Sequence, residues 1–381
     1  MNPVLLRQQS YPMARLDALK DALRARGQRV FDFGVGDPAE ETPAFIREAF
    51  VRAIPARSQY PTVAGKPELR SAIAGYLRRR FGVELDPATE ILPSSGSKEA
   101  VFHLPLALLD PASEKRVVVI PDPGYPVYER GTEFAGGLCH LVPLKAERNF
   151  LLEPADVPED VLRRTAIYWI SYPHNPTGAV ADHAYFRRVL EAAEKYDFLV
   201  ASDECYADLY FGRKPPSMLE VAKKRVLAFH SCSKRSGMTG FRSGFMAGDA
   251  AIVAALKKMR PSIGVASPEF TQAAAIAAWS DDAHAEARRA VFGQKREKAL
   301  RFFDEVGLKA PWSEATFFMW VEVPRGFTAE TYAERLLQEG IVVSPGNFFG
   351  AGEGYFRIAL VPTPEEMDEA FARWRTVHAG G

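Results

Sequence analysis

Four apolar runs of strand length, residues 116–120, 166–171, 198–202 and 226–230, alternate with helical periodicity between about residues 60 and 250. Amphipathic patterns cover 68–81, 98–109 and 183–196, and a further short strand pattern covers 244–247. Strands alternating with helices are βαβ units, which predicts an α/β chain built on a mostly parallel sheet. From about Glu269 the pattern changes. A helix-rich run over 271–306 precedes strand patterns at 317–323, 341–344 and 356–359, and a last helix over 364–376. Near the start, a helix pattern over 13–23 leads into a strand over 30–33. The chain's 381 residues exceed what one compact core usually fills, so a second, smaller α/β domain joined near 270–290 is expected.

Composition narrows the function. Lys plus Arg and Asp plus Glu are 48 each, a balance that disfavours a nucleic-acid partner. No apolar run reaches membrane-spanning length, so no membrane partner is expected. The first residues lack the pattern of a secretory signal, and three widely spaced cysteines fit a reducing cytoplasm. No CxxC pair, HExxH or His cluster offers a metal site. Gly34-Val35-Gly36 resembles the opening of a dinucleotide fingerprint, but the third glycine is absent and Asp37-Pro38 stands where a helix would begin.

Chemistry-bearing residues follow the apolar strands, where open α/β sheets place their ligands. After 226–230 comes Ser231-Cys232-Ser233-Lys234, with Arg242 eight residues beyond the lysine. A hydroxyl, an amine and a guanidinium so placed suit a ligand with both a phosphate and an aldehyde. Ser-x-x-Lys alone reads as a surface lysine in a polar loop. After 198–202 comes Asp203-Glu204-Cys205-Tyr206. A carboxylate there could keep a pyridine nitrogen protonated and Tyr206 could bond a ring oxygen, although Asp203 also reads as a turn or helix cap. After 166–171 comes His174-Asn175-Pro176-Thr177-Gly178, turn chemistry whose function would lie in the Asn175 amide; His174 is assigned no role. Gly96-Ser97-Lys98 opens a helix, where backbone N–H groups bind phosphate or a serine caps the turn. Cys205 and Cys232 read as small packing residues, and the 317–320 aromatics as core.

In this order and spacing, the set resembles the pyridoxal-phosphate-dependent aminotransferases of class I/II, fold type I. Residues 34–38, Tyr60-Pro61-Thr62, Pro123-Gly124-Tyr125 and Phe356-Arg357-Ile358-Ala359 extend the likeness over nearly the whole chain. The resemblance implies a large cofactor-binding domain over 46–280 and a small domain from 1–45 with 281–381. It implies Lys234 as the lysine bonded to the cofactor aldehyde and Asp203 as the partner of its ring nitrogen. Asn175 and Tyr206 would bind the ring oxygen and Tyr125 would stack on the ring. Gly96, Ser97, Lys98, Ser231 and Arg242 would surround the phosphate. Tyr60 would reach the phosphate of a neighbouring subunit, which implies a homodimer with sites at the subunit interface. Gly36 and Arg357 would take the substrate α-carboxylate.

Finer features, among them Met1-Asn2-Pro3, Tyr11-Pro12, Arg15-Leu16 and Asp281-Asp282-Ala283-His284, are similar to the succinyldiaminopimelate aminotransferases of lysine biosynthesis. Glutamate and 2-oxoglutarate would be donor and product. Such a substrate has distal carboxylates, and Arg260 is the expected cation for them, with a solvated helix-capping arginine as the alternative. Aspartate, alanine or aromatic aminotransferases and Cβ–S lyases share the same constellation. A pyridoxal-phosphate-binding regulator would need a DNA-binding domain for which the N-terminal segment has no room.

Overall fold

The computed structural model describes residues 1–7 and 12–379, so Tyr11 lies outside the described residues. After a short strand β1 (Phe31–Asp32), seven strands form the central sheet: β2 (Ile91–Ser94), β3 (Val117–Asp122), β4 (Leu138–Pro143), β5 (Thr165–Ser171), β6 (Leu199–Asp203), β7 (Val226–Ser231) and β8 (Gly244–Gly248). Their order is β2-β8-β7-β6-β5-β3-β4. The ladders from β7 to β4 are parallel, and both ladders of β8 are antiparallel. The result is the expected mixed, mostly parallel sheet.

The apolar runs have a simple cause. Successive side chains of a strand point to opposite faces, and helices cover both faces here, so each position meets a core. Tyr168, Ile170 and Val200 join one cluster, while Ile167, Trp169, Leu199 and Ala201 join the other. Strand β4 escaped the sequence reading because it lies at the sheet's edge. Leu138 and Leu141 are exposed there, so the pattern carries no clean apolar run.

The 271–306 run is two helices, Glu269–Ser280 and Ala283–Val306. The chain breaks at Asp281, whose side chain accepts from the His284 N–H at 2.9 Å. Beyond it, β9 (Phe318–Glu322), β11 (Ser344–Pro345) and β12 (Tyr355–Ala359) form an antiparallel sheet in the order β11-β12-β9. β1 pairs in parallel with β10 (Ile341–Val342). These strands and the helices Ala283–Val306 and Pro364–Ala379 share a separate apolar cluster, in which Phe302 stacks on Phe371 at 4.2 Å. The Ala359 N–H of β12 donates to Phe33 O at 2.7 Å, which sets the 34–38 segment beside the strand that holds Arg357.

A buried ionic knot stands behind Lys234. Arg235 donates to Asp208 at 2.7 Å, and Arg80 donates to the other oxygen of the same carboxylate at 2.7 Å. Burial pushes the Asp208 carboxyl up, but Arg235 and Arg80 overcome this and hold it at about 2. Arg235 also donates to Ala278 O, Asp281 O and Asp282 Oδ1. Removing one partner from such a buried pair costs about 3–5 kcal/mol, so this knot fixes the turn that presents the lysine. No helix among the described residues is long and apolar enough to cross a membrane.

Candidate active site

The ends of β5, β6 and β7 and the loop after β3 open into one cavity of about 700 Å³. The turn Cys232–Arg235 follows β7 directly, with the Ser231 hydroxyl accepting from the Ser233 N–H at 3.1 Å. That cap aims Lys234 into the cavity, where its amine donates to Gly36 O. Burial pushes the Lys234 amine down to about 8, with the Asp37 carboxylate opposing and the Arg357 guanidinium adding to the fall.

Asp203, the last residue of β6, lies on the cavity floor and is 8% exposed. The Tyr128 hydroxyl donates to its Oδ2 at 2.7 Å. Burial pushes this carboxyl up, against hydrogen bonds from Tyr128 and Cys205. A cation set against Asp203 would reverse that shift, so the floor is matched to a positively charged ring nitrogen. Tyr128 was missed in the sequence because its link to Asp203 spans 75 positions. Cys205 departs from its expected packing role: it is half-buried and lines the cavity, and burial with the Asp203 charge keeps its thiol protonated. Cys232 is buried as expected. Burial pushes the His174 imidazole down to about 3, and its Nδ1 lies 2.8 Å from Thr177 Oγ1, an internal role that needs no ligand.

At one end of the cavity stand Ser97, Lys98, Ser231 and Arg242. Ser97 and Lys98 open the helix Ser97–Leu108, whose N-terminal N–H groups attract anions. Gly96 does not line the cavity; it sits under Arg242, and a Cβ there would overlap the guanidinium. A Cβ on Gly244 would lie 2.6 Å from His230 O and 3.0 Å from Ser97 N, so two glycines let the backbone close around this end. Two cations, two hydroxyls and a helix N-terminus fit a phosphate dianion. The donor set as a whole fits a group with a phosphate, an aldehyde for Lys234 and a basic ring nitrogen for Asp203.

Arg357 occupies the other end, on β12. It donates to Asn175 Oδ1 at 2.9 Å and to Gly34 O at 2.8 Å. Its guanidinium lies between the rings of Phe318 and Phe349, at 4.0 and 4.4 Å. Gly36, Tyr125 and Tyr206 complete the walls, and the Tyr206 ring packs edge-on against Phe317 and Phe318. Phe318 therefore does more than fill the core expected for 317–320. Asp37, Phe348 and Phe349 also line the cavity; the 347–350 stretch reads in the sequence as a candidate loop over the substrate, whereas Asp37 carries no such signal.

Besides Gly96, two more of the named residues stand off this cavity, and for Tyr60 the expected place is the phosphate of a neighbouring subunit. Tyr60 is 94% exposed and does not line this cavity. Arg260, expected to meet a distal substrate carboxylate, does not line this cavity either. It is 3% exposed and donates to Val63 O at 3.0 Å, so it anchors the loop that carries Tyr60. The solvated alternative fails for the same reason.

Residues 28–373 match the family model for aminotransferase class I and II. The LL-diaminopimelate aminotransferase of Aquifex aeolicus is 41% identical over 371 residues, 95% of each chain. That of Desulforudis audaxviator is 42% identical over 374 residues, 96% of this chain and 94% of the relative. The solved structure of a probable N-succinyldiaminopimelate aminotransferase from Thermus thermophilus superposes with a TM-score of 0.89 at 29% identity, covering 96% of this chain and 99% of that one. The mixed sheet, the lysine-centred cavity and these matches make the chain a member of the class I and II aminotransferases, pyridoxal-phosphate-dependent enzymes of fold type I.

Proposed function

We propose that the enzyme moves an amino group between LL-2,6-diaminopimelate and 2-oxoglutarate, with glutamate as the second amino acid. The observation that carries the chemistry is the meeting of Lys234, Asp203 and Arg357 on the walls of one cavity. The substrate rests on relatives near 40% identity, aligned over almost their full length, whose names state that activity. A succinylated form of the substrate is the second reading, favoured by the Thermus structure at lower identity.

When bound, pyridoxal 5′-phosphate supplies an aldehyde that takes up the amino group and a ring that draws electrons from the substrate Cα. Lys234 would hold the aldehyde covalently between turnovers. Once displaced, its Nζ would be placed to take the proton from the substrate Cα and deliver it to the carbon of the cofactor's former aldehyde. Asp203 would keep the ring nitrogen protonated, and Tyr128 holds Asp203 in place. Tyr125 would pack on the ring, Asn175 and Tyr206 would bond its oxygen, and Ser97, Lys98, Ser231 and Arg242 would hold the phosphate. Arg357 and Gly36 hold the substrate carboxylate and so orient the Cα–H bond for Lys234.

In this reading residues 46–280 form the cofactor-binding domain, and 1–45 with 281–381 the smaller one. The enzyme is a cytoplasmic homodimer whose phosphate site is completed by the partner subunit's Tyr60. Support comes from the exposed side chains of Tyr60, Val51 and Ile54, and from three free cysteines.

A panel assay tests the substrate. LL-diaminopimelate with 2-oxoglutarate should yield glutamate at a kcat/KM at least about tenfold above aspartate, alanine, phenylalanine or N-succinyl-LL-2,6-diaminopimelate. Preference for the succinyl compound would install the second reading. Pyruvate and ammonia without glutamate would mark a lyase.

The lysine also sets a pH dependence. Its amine is nucleophilic only when neutral, and with a pKa of about 8 roughly a tenth of it is neutral at pH 7. Capture of pyridoxal phosphate by cofactor-free protein should therefore quicken about tenfold per unit below pH 8 and level off above it. Stopped-flow absorbance reads this directly. A rate still climbing at pH 10 would show an unperturbed amine.

A further inference from the structure

Asp122 ends β3, three residues before Tyr125, and takes no part in the chemistry assigned above. Its Oδ1 accepts from the Ala351 N–H at 2.5 Å. Two residues along the chain, the Gly124 N–H donates to Phe349 O at 2.9 Å. These bonds tie the end of a central-sheet strand to the 346–352 loop, which lies between β11 and β12 of the separate antiparallel sheet. Gly350 makes the approach possible. Its φ is +108°, a backbone region that side chains rarely adopt, and a Cβ there would overlap the Asp122 carboxylate. The loop carries Phe348 and Phe349 into the cavity wall, with the Phe349 ring 4.4 Å from the Arg357 guanidinium. A carboxylate accepting a backbone N–H makes a stronger bond than a neutral acceptor does. Burial raises the Asp122 carboxyl's pKa, and the Ala351 N–H opposes that rise.

We propose that Asp122 is a positioning residue for substrate binding: by holding the 346–352 loop, it keeps Phe349 against Arg357 and so fixes the fork that receives the substrate carboxylate. The inference rests on the reading of Arg357 as that receptor. Asp122 touches neither substrate nor cofactor and acts through Phe349. Loosening the loop therefore weakens carboxylate binding and leaves proton transfer at Lys234 intact.

The test uses four holoenzyme variants: Asp122→Ala, Asp122→Asn, Gly350→Ala and Arg357→Ala. It reads KM and kcat for the best amino donor of the panel, the Kd of glutarate by fluorescence quenching, and the thermal midpoint. Glutarate is a dicarboxylate without an amino group, so its binding reports the carboxylate site apart from turnover. Asp122→Ala should raise KM and the glutarate Kd about tenfold, with kcat within about threefold and an unchanged midpoint. Asp122→Asn should restore both to within about threefold, because its amide oxygen can accept the same bond. Gly350→Ala should reproduce the alanine defect by pushing the carboxylate away. The proposal fails if Asp122→Ala leaves KM and glutarate binding unchanged while Arg357→Ala weakens both. It also fails if asparagine is no better than alanine, or if kcat and the midpoint fall together with binding. If Arg357→Ala itself leaves glutarate binding unchanged, the reading of Arg357 falls, and the role of Asp122 falls with it.

Discussion

Replacing Lys234 by alanine should remove the visible absorbance of the protein-bound cofactor and lower turnover by at least about 10⁴-fold, the upper range for a positioned acid–base group. The size follows from geometry. Lys234 is the one amine the Cys232–Arg235 turn aims at the cavity centre; Lys98 stands at the phosphate end, at a helix start. Alanine leaves the cap at Ser231 and the Arg235 knot untouched, so the thermal midpoint of cofactor-free protein should stay within a few degrees. Absorbance, turnover and midpoint on one preparation separate lost chemistry from lost folding. A variant that keeps its colour and a rate within tenfold of the parent would remove Lys234 from the mechanism.

Asp203→Ala should cost about 10³-fold in kcat, the scale of a lost preorganised charge next to a reacting centre. Cofactor should still bind, since the groups at the phosphate end do not depend on Asp203. Alanine also strands the buried Tyr128 hydroxyl, which confuses charge with hydrogen bonding. Asp203→Asn removes the charge and one acceptor, and its amide oxygen can keep the Tyr128 bond at the expense of the longer one from the Cys205 N–H. Equal losses in the two variants, measured as single-turnover rates, would assign the effect to charge. A near-normal rate in Asp203→Asn would leave the ring nitrogen without need of an anion.

The sheet was legible because its strands are covered on both faces, so β5, β6 and β7 stand out as apolar runs. The residues directly after them could be read as a site because strand ends converge in an open α/β sheet. Edge strand β4 was not legible, since half-exposed positions erase the run. Arg260 shows what a loop position leaves out. Its place in a loop suggested reach toward the substrate, but its partner is the carbonyl of Val63, 197 positions earlier. Neither the spacing nor the charge of Arg260 records that contact.

The amino-acid order determined the alternation of strands and helices, the turn that presents Lys234 and the acid that ends β6, because those depend on side-chain periodicity and on neighbours a few positions apart. Tertiary structure alone decided that Tyr128 bonds Asp203, that Arg357 lies between Phe318 and Phe349, and that Asp122 meets Ala351. Each of those contacts joins segments widely separated in the chain. Strand pairing and core packing bring such segments together, and a local pattern carries no signal of either.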